Sequence, residues 1–136
     1  MTRYVMEDRE RMIFRVDREA LVSPSHSVRW TWKEFNERVD ALAAGLLALG
    51  LERGARIGVW SLNRPEWTLT QFAAAEAGLV FVTINPAYRL HELEYALRKV
   101  GCAALVYRAL RRFRTIQVDD EIISATDIPA AALSKR

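Results

Sequence analysis

Apolar residues recur at steps of four and three along the first third of the chain, at Phe35, Val39, Leu42, Leu46 and Leu49. That spacing lines one face of a helix, while Lys33, Glu37, Arg38 and Asp40 fall mainly on the other. Thr31 and Glu34 form an S/T-x-x-E capping box at its start, and Gly50 supplies a left-handed stop at its end. The period then changes. Arg56 to Leu62 (RIGVWSL) is a nearly continuous apolar run, as in a strand covered on both faces. Asn63 is positioned to cap a second helix, with Glu66 three residues on and Pro65 in the first turn, where its missing N–H costs nothing. This helix runs through WTLTQFAAAEA to Gly78, and Ala73 to Ala75 would let it approach the sheet closely. Leu79 to Ile84 (LVFVTI) reads as a second buried strand, ended by Asn85-Pro86. A third helix carries Leu90, Leu93, Leu97 and Val100 on one face and stops at Gly101. Ala103 to Tyr107 is the third strand.

Strands separated by single helices and short links make βαβ units, and their crossovers are right-handed in nearly all proteins. The pattern therefore predicts an α/β fold with a parallel sheet from consecutive βαβ units. Glu19 to Val22 and Val28 to Thr31, around the turn-like Ser23 to Ser27, predict a small antiparallel hairpin ahead of it. Residues 1–16 are charged and read as an N-terminal arm. The α/β unit is expected over 17–107. Residues 108–136 form a divergent basic and acidic tail, with Thr115 to Val118 as a short strand.

At 136 residues, 51% of them hydrophobic and 27% charged, the chain is the size of one globular domain. Its net charge is +3, and basic residues cluster only in RALRRFR (Arg108 to Arg114), with the single aromatic Phe113. That is too little for nucleic-acid binding, so no nucleic acid is expected. No apolar run approaches the roughly 20 residues that span a bilayer, so no transmembrane segment is expected. The N-terminus lacks the apolar stretch of a secretory signal, and its acidic residues weigh against a transit peptide. A cytoplasmic location is the expectation. Cys102, the one cysteine, reads as a buried structural thiol. His26 lies in the polar turn without a second metal-binding residue at ligand spacing, and His91, beside Glu92 in the first turn of the third helix, reads as an exposed helix-start histidine. Trp67 and Phe72 read as packing residues rather than a ligand-stacking pair.

Several blocks in order resemble the opening of the AMP-forming acyl-CoA synthetases, the adenylate-forming ligases, with the flavour of the medium-chain fatty acyl-CoA ligases. They are REALV (Arg18 to Val22), RWTWKEF (Arg29 to Phe35), LGLERGARIGVW (Leu49 to Trp60), LNRPEWTLTQFAAAEAG (Leu62 to Gly78) and VTINPAYRLHELEYAL (Val82 to Leu97). Ala55 departs from the resemblance, standing where the family usually has an aspartate. The resemblance implies the N-terminal lobe of that fold, and a parent reaction that activates a carboxylate with ATP and passes the acyl group to coenzyme A. ATP, Mg and coenzyme A are the parent's cofactors.

That chemistry needs a Gly/Ser/Thr-rich loop that cradles phosphates and a positive group at the transferring phosphorus. Here no two of the six glycines are closer than four positions, and the lysines are Lys33, Lys99 and Lys135. No catalytic, cofactor-binding or metal-binding residue is assigned, and no cofactor is expected for this chain alone. In open α/β sheets ligands sit beyond the carboxyl ends of the strands. Asn63, after the first long strand, and Asn85 and Tyr88, after the second, are therefore the candidate pocket-rim residues. The expected function is a truncated or split N-terminal segment of a fatty acid-CoA ligase, inactive alone. The expected partner is the remainder of a split synthetase or a second copy through uncovered apolar surface. The alternative is a stand-alone α/β interaction module docking on another synthetase or protein.

Overall fold

The computed structural model describes residues 16–109 and 112–118. The arm before Val16 and the tail beyond Val118 lie outside the described residues. Strands β1 (Glu19–Ser23) and β2 (Val28–Thr31) form the antiparallel hairpin, joined by a 3-10 turn at Pro24–His26. Helix α1 (Trp32–Leu47), β3 (Arg56–Trp60), α2 (Pro65–Glu76), β4 (Val80–Ile84), α3 (Leu90–Val100), β5 (Cys102–Ala109) and β6 (Arg112–Gln117) follow. The main sheet has the order β4-β3-β5-β6. Its first three strands are parallel and β6 returns antiparallel to β5. The α/β fold and the hairpin both match the sequence reading.

The capping box starts α1 as drawn. The Glu34 backbone N–H donates to Thr31 Oγ1 at 3.2 Å, and the Thr31 N–H donates to Glu34 Oε2 at 2.8 Å. Hydrogen bonds from Trp32 N–H to the Arg18 carbonyl (2.9 Å) and from Lys33 N–H to the Val16 carbonyl (3.0 Å) tie the helix start to the residues just before β1.

The sheet has one apolar cluster on each side. On one side, Phe35, Val39, Ala43 and Leu46 of α1 and Leu69, Ala73 and Ala74 of α2 pack on Ile57, Val59, Ala104 and Val106. On the other, Leu93 and Leu97 of α3 cover Trp60, Ile84, Cys102, Leu105 and Tyr107. Alternate residues of β3 thus enter different clusters, as a strand covered on both faces requires. A register shift between β3 and β5 adds a residue to β5 after Cys102, which places Cys102 on the same face as Leu105. Gly58 lies directly under α3. A Cβ there would stand 2.8 Å from Ile84 Cδ1 and 3.2 Å from Leu97 Cδ2.

Several details differ from the sequence reading, among them the tail strand, which is Arg112–Gln117 rather than Thr115 to Val118 and joins the main sheet. β3 ends at Trp60, and Leu62 is 65% exposed. The N-cap of α2 is Arg64, not Asn63. Pro65 fixes the first helical φ and pushes the residue before it into extended backbone, so Arg64 takes the cap position at φ −145°. β4 is an edge strand, with Val80 45% exposed, rather than a strand covered on both faces. In α1 the helix closes at Leu47, so Leu49 follows it, and Ala43 joins the buried stripe while Leu42 is half-buried. Val100 is exposed at the last position of α3.

Candidate functional site

Parallel strands bring their carboxyl ends to one rim of the sheet. Trp60, Ile84 and Tyr107 stand in register there. The two links that leave this rim, Ser61 to Arg64 after β3 and Asn85 to Arg89 after β4, carry the three candidate residues. Asn63 is exposed. Asn85 is exposed too, and its Oδ1 accepts the Ala87 N–H at 2.9 Å, closing an Asx turn. Tyr88 is half-buried against the cluster that holds Trp60, Ile84 and Leu93, and its N–H donates to the Asn85 carbonyl at 3.1 Å. Asn85 and Tyr88 therefore share one loop, and Asn63 lies on the neighbouring link.

Trp60 is the feature of this rim that the sequence reading did not single out. It is 7% exposed, and its Nε1–H is buried with no hydrogen-bond partner among the described residues. An apolar strand run gives no sign that its last residue will leave a donor unmet. Arg64 Nε and Glu66 Oε2, at the start of α2, are also buried without hydrogen bonds, and face each other at 3.7 Å as an ion pair.

The helix starts show whether the described residues fit a nucleotide phosphate. A helix N-terminus attracts anions through its free N–H groups and dipole. Here each start already carries a carboxylate of its own. Glu34 receives the Thr31 N–H, and that hydrogen bond holds its carboxyl below the usual glutamate range. Glu92 Oε2 receives the Arg89 N–H at 2.7 Å. Glu66 sits in the first turn of α2, where Pro65 has no N–H to offer. Among the described residues no three His, Cys, Asp or Glu side chains group to hold a metal ion. The residues present do not fit a magnesium-bound triphosphate, and no catalytic step is derived through one.

The remaining candidates have structural settings. His26 Nδ1 lies 2.7 Å from Ser23 Oγ and 3.1 Å from Ser25 Oγ, a lock on the hairpin turn. His91 is exposed on α3. Trp67 packs edge-on to Phe81 at 5.0 Å, and Phe72 to Phe35 at 5.3 Å, so the two aromatics have separate partners. Cys102 is buried, and burial pushes its thiol pKa up against a smaller opposing effect of Arg56.

The family model for AMP-binding enzymes matches residues 10–134. The chain belongs to the AMP-binding enzyme family. It is 48% identical over 101 residues to the mitochondrial medium-chain acyl-CoA ligase ACSF2 of Bos taurus, covering 74% of this chain and 16% of that relative. The Danio rerio protein of the same name is 54% identical over 90 residues, covering 66% of this chain and 15% of its own. Among solved structures, the N-terminal domain of FACL13 from Mycobacterium tuberculosis superposes with a TM-score of 0.66 at 30% identity, covering 71% of this chain and 24% of that one. The anthranilate CoA ligase AuaEII, solved with anthranoyl-AMP, gives 0.64 at 27%, covering 71% and 18%. The chain thus corresponds to the N-terminal part of an acyl-CoA ligase of this family, and spans about a sixth of the length of the curated relatives it matches. No helix among the described residues is long and apolar enough to cross a membrane.

Proposed function

We propose that this chain is the scaffold-forming opening segment of a fatty acid-CoA ligase and is inactive by itself. The observation that carries the reading is the 48% identity to a medium-chain acyl-CoA ligase along 101 residues that make up 16% of that relative. The parent reaction joins a carboxylate to the α-phosphorus of ATP with loss of pyrophosphate, then transfers the acyl group to coenzyme A with release of AMP. The occupied helix starts and the scattered glycines support a structural role for this segment. In that reading the remainder of the synthetase is the partner, and it brings the ATP, Mg and coenzyme A sites. Asn63, Asn85 and Tyr88 then line the rim that faces the completed pocket.

The test is an AMP-release assay with ATP, magnesium, coenzyme A and a panel of fatty acids. The chain alone should release no AMP. The chain mixed with a separately expressed remainder of the ligase should release it. Fatty-acid-dependent AMP release by the chain alone would overturn the reading.

A second reading, a stand-alone module that docks on another synthetase, is favoured by one observation. β6 pairs with β5 along its whole length and closes that side of the sheet. Titration against an intact synthetase, followed calorimetrically, separates it from the first. Cytoplasmic location carries over as a proposal. The mitochondrion is its rival because the ACSF2 relatives are named mitochondrial, and fractionation of cells expressing the chain decides between them.

A further inference from the structure

The two edges of the main sheet differ in kind. β6 has the sequence RFRTIQ, with two arginines. β4 (VFVTI) carries no charge, proline or glycine, and it pairs with β3 through five residues without a bulge. Val80 is 45% exposed, while Phe81 and Val82 are half-buried. Among the described residues no strand lies on its outer side.

The hydrogen-bond pattern fixes which backbone groups face outward. The Val80 N–H donates to the Ala55 carbonyl at 2.9 Å, on the β3 side. In a parallel ladder the groups alternate, so Val80, Val82 and Ile84 point their N–H and C=O toward β3. Phe81 and Thr83 point theirs outward, symmetrically about Val82.

From this we infer that β4 pairs antiparallel with β4 of a second copy of the chain, with Val82 on the two-fold axis. In that register Phe81 lies opposite the partner's Thr83 and Thr83 opposite the partner's Phe81, each pair exchanging both of its N–H···O bonds. Val82 faces its own copy in the closer, non-hydrogen-bonded position. Val80 lies opposite Ile84, so each copy continues the other's apolar stripe. The cross-strand contacts are aromatic against β-branched and β-branched against β-branched, which favour pairing. A shift to a two-fold at Phe81 would set Thr83 against Leu79, whose N–H is already given to the Ala74 carbonyl. A shift to Thr83 would set Phe81 against Asn85, next to Pro86. The register about Val82 alone lets both outward residues answer each other.

On the α3 face there is room for it. α3 lies over β3, since Leu97 Cδ2 reaches the space above Gly58. Two β3 strands would be three strand spacings apart in the joined sheet, about 14 Å. Packed helices need roughly 8–10 Å between axes. The interface is isologous, so it closes as a dimer and leaves the two β6 edges outermost. This inference is independent of the ligase reading, because oligomeric state is measured without turnover.

The experiment is sedimentation velocity on the full chain across a concentration series, with disulfide capture to read the register. The expected result is a monomer–dimer equilibrium. Thr83→Pro should abolish it, because the lost N–H faces outward and the β3–β4 ladder keeps its bonds. Thr83→Lys, which places a charge on the edge without changing the backbone, should do the same and decides the matter if the proline variant does not fold. Under mild oxidation Val82→Cys should form a disulfide-linked dimer, since facing positions bring the Cα atoms within disulfide reach. Val80→Cys should not, its copies being about 14 Å apart. A chain that stays monomeric throughout, a dimer untouched by Thr83→Lys, or capture as efficient at 80 as at 82 would each overturn the proposal.

Discussion

Gly58→Ala is a sharp test of how α3 sits on the sheet. Gly58 has ordinary strand backbone, so the substitution meets no conformational bar, and in a strand it should gain about 0.5–1 kcal/mol from a stiffer unfolded chain. Space opposes it. The new methyl would lie 2.8 Å from Ile84 Cδ1, 3.2 Å from Leu97 Cδ2 and 3.4 Å from Cys102 Sγ. All three neighbours are buried, at 6%, 4% and 6% exposure, so none can swing into solvent without opening the cluster. Overpacking of this kind costs about 1–3 kcal/mol. Because the 2.8 Å contact forces a buried neighbour to shift, the cost falls in the upper half of that range, and the net loss is about 1–2.5 kcal/mol, which for a domain of this size lowers Tm by about 4–20 °C. Urea denaturation followed by circular dichroism measures it. The attribution to Ile84 is checked by a double-mutant cycle. Ile84→Val removes the atom at 2.8 Å and alone should cost about 0.5–1.5 kcal/mol. In the Gly58→Ala background it should cost less or become favourable, with a coupling of about 1 kcal/mol. A neutral Gly58→Ala, or single effects that add within about 0.5 kcal/mol, would refute the close packing of Ile84 over Gly58.

Four further outcomes follow from local chemistry. Thr31→Ala should lower stability by about 1 kcal/mol through loss of the acceptor that caps the Glu34 N–H, read in the same denaturation assay. The Glu34 carboxyl is held below its usual range by the Thr31 N–H, so its contribution is present above the ordinary glutamate pKa and lost as pH falls through the depressed value. The stability gap between the wild type and Glu34→Gln should therefore close on titration from pH 7 to 3, and a gap that widens would contradict the capping assignment. Ser27 adopts a left-handed backbone at φ 54° after the Ser23–His26 turn, so Ser27→Gly should stabilise the chain by about 1 kcal/mol, and a loss of stability in thermal melts would mean the side chain itself is needed. Cys102 is buried with its thiol pKa raised, so alkylation at neutral pH should be slow in the native chain and fast in urea; rapid native labelling would show that α3 does not cover it.

What was legible in the sequence was local. The capping box at Thr31 and Glu34 could be read because both partners lie three residues apart, and the structure forms both bonds. Gly101, at φ 69°, ends α3 as its position after the apolar stripe predicts. Asn63 was misassigned because its residue type suits a cap, while the fixed φ of Pro65 puts the cap at Arg64 instead. β3 and β4 look alike as apolar runs, yet one is central and the other an edge. Sheet order depends on which crossover follows each strand, and a window of residues does not contain that. The rim residues Asn63, Asn85 and Tyr88 could be located from strand ends alone. Trp60 could not, since an unmet indole N–H is a property of its surroundings rather than of the strand pattern.

The same geometry bears on where the phosphate chemistry of the proposed parent reaction would sit. Successive crossovers to opposite sides of β3 put α1 and α2 on one face and α3 on the other, and so gather the strand ends at a single rim. In an α/β fold the anion-binding capacity at such a rim comes from helix starts. Glu34, Glu66 and Glu92 stand in the first turns of all three described α-helices. A phosphate brought there would meet like charge where it needs free N–H groups. Among the described residues two donors here lack a hydrogen bond: the Arg64 Nε–H, which faces the Glu66 carboxylate at 3.7 Å, and the Trp60 indole, a neutral N–H suited to a carbonyl or another neutral acceptor rather than to a triphosphate. The rim therefore has the position of a ligand site with its helix starts already answered by carboxylates, which points to residues other than these for the phosphate-binding chemistry of the family.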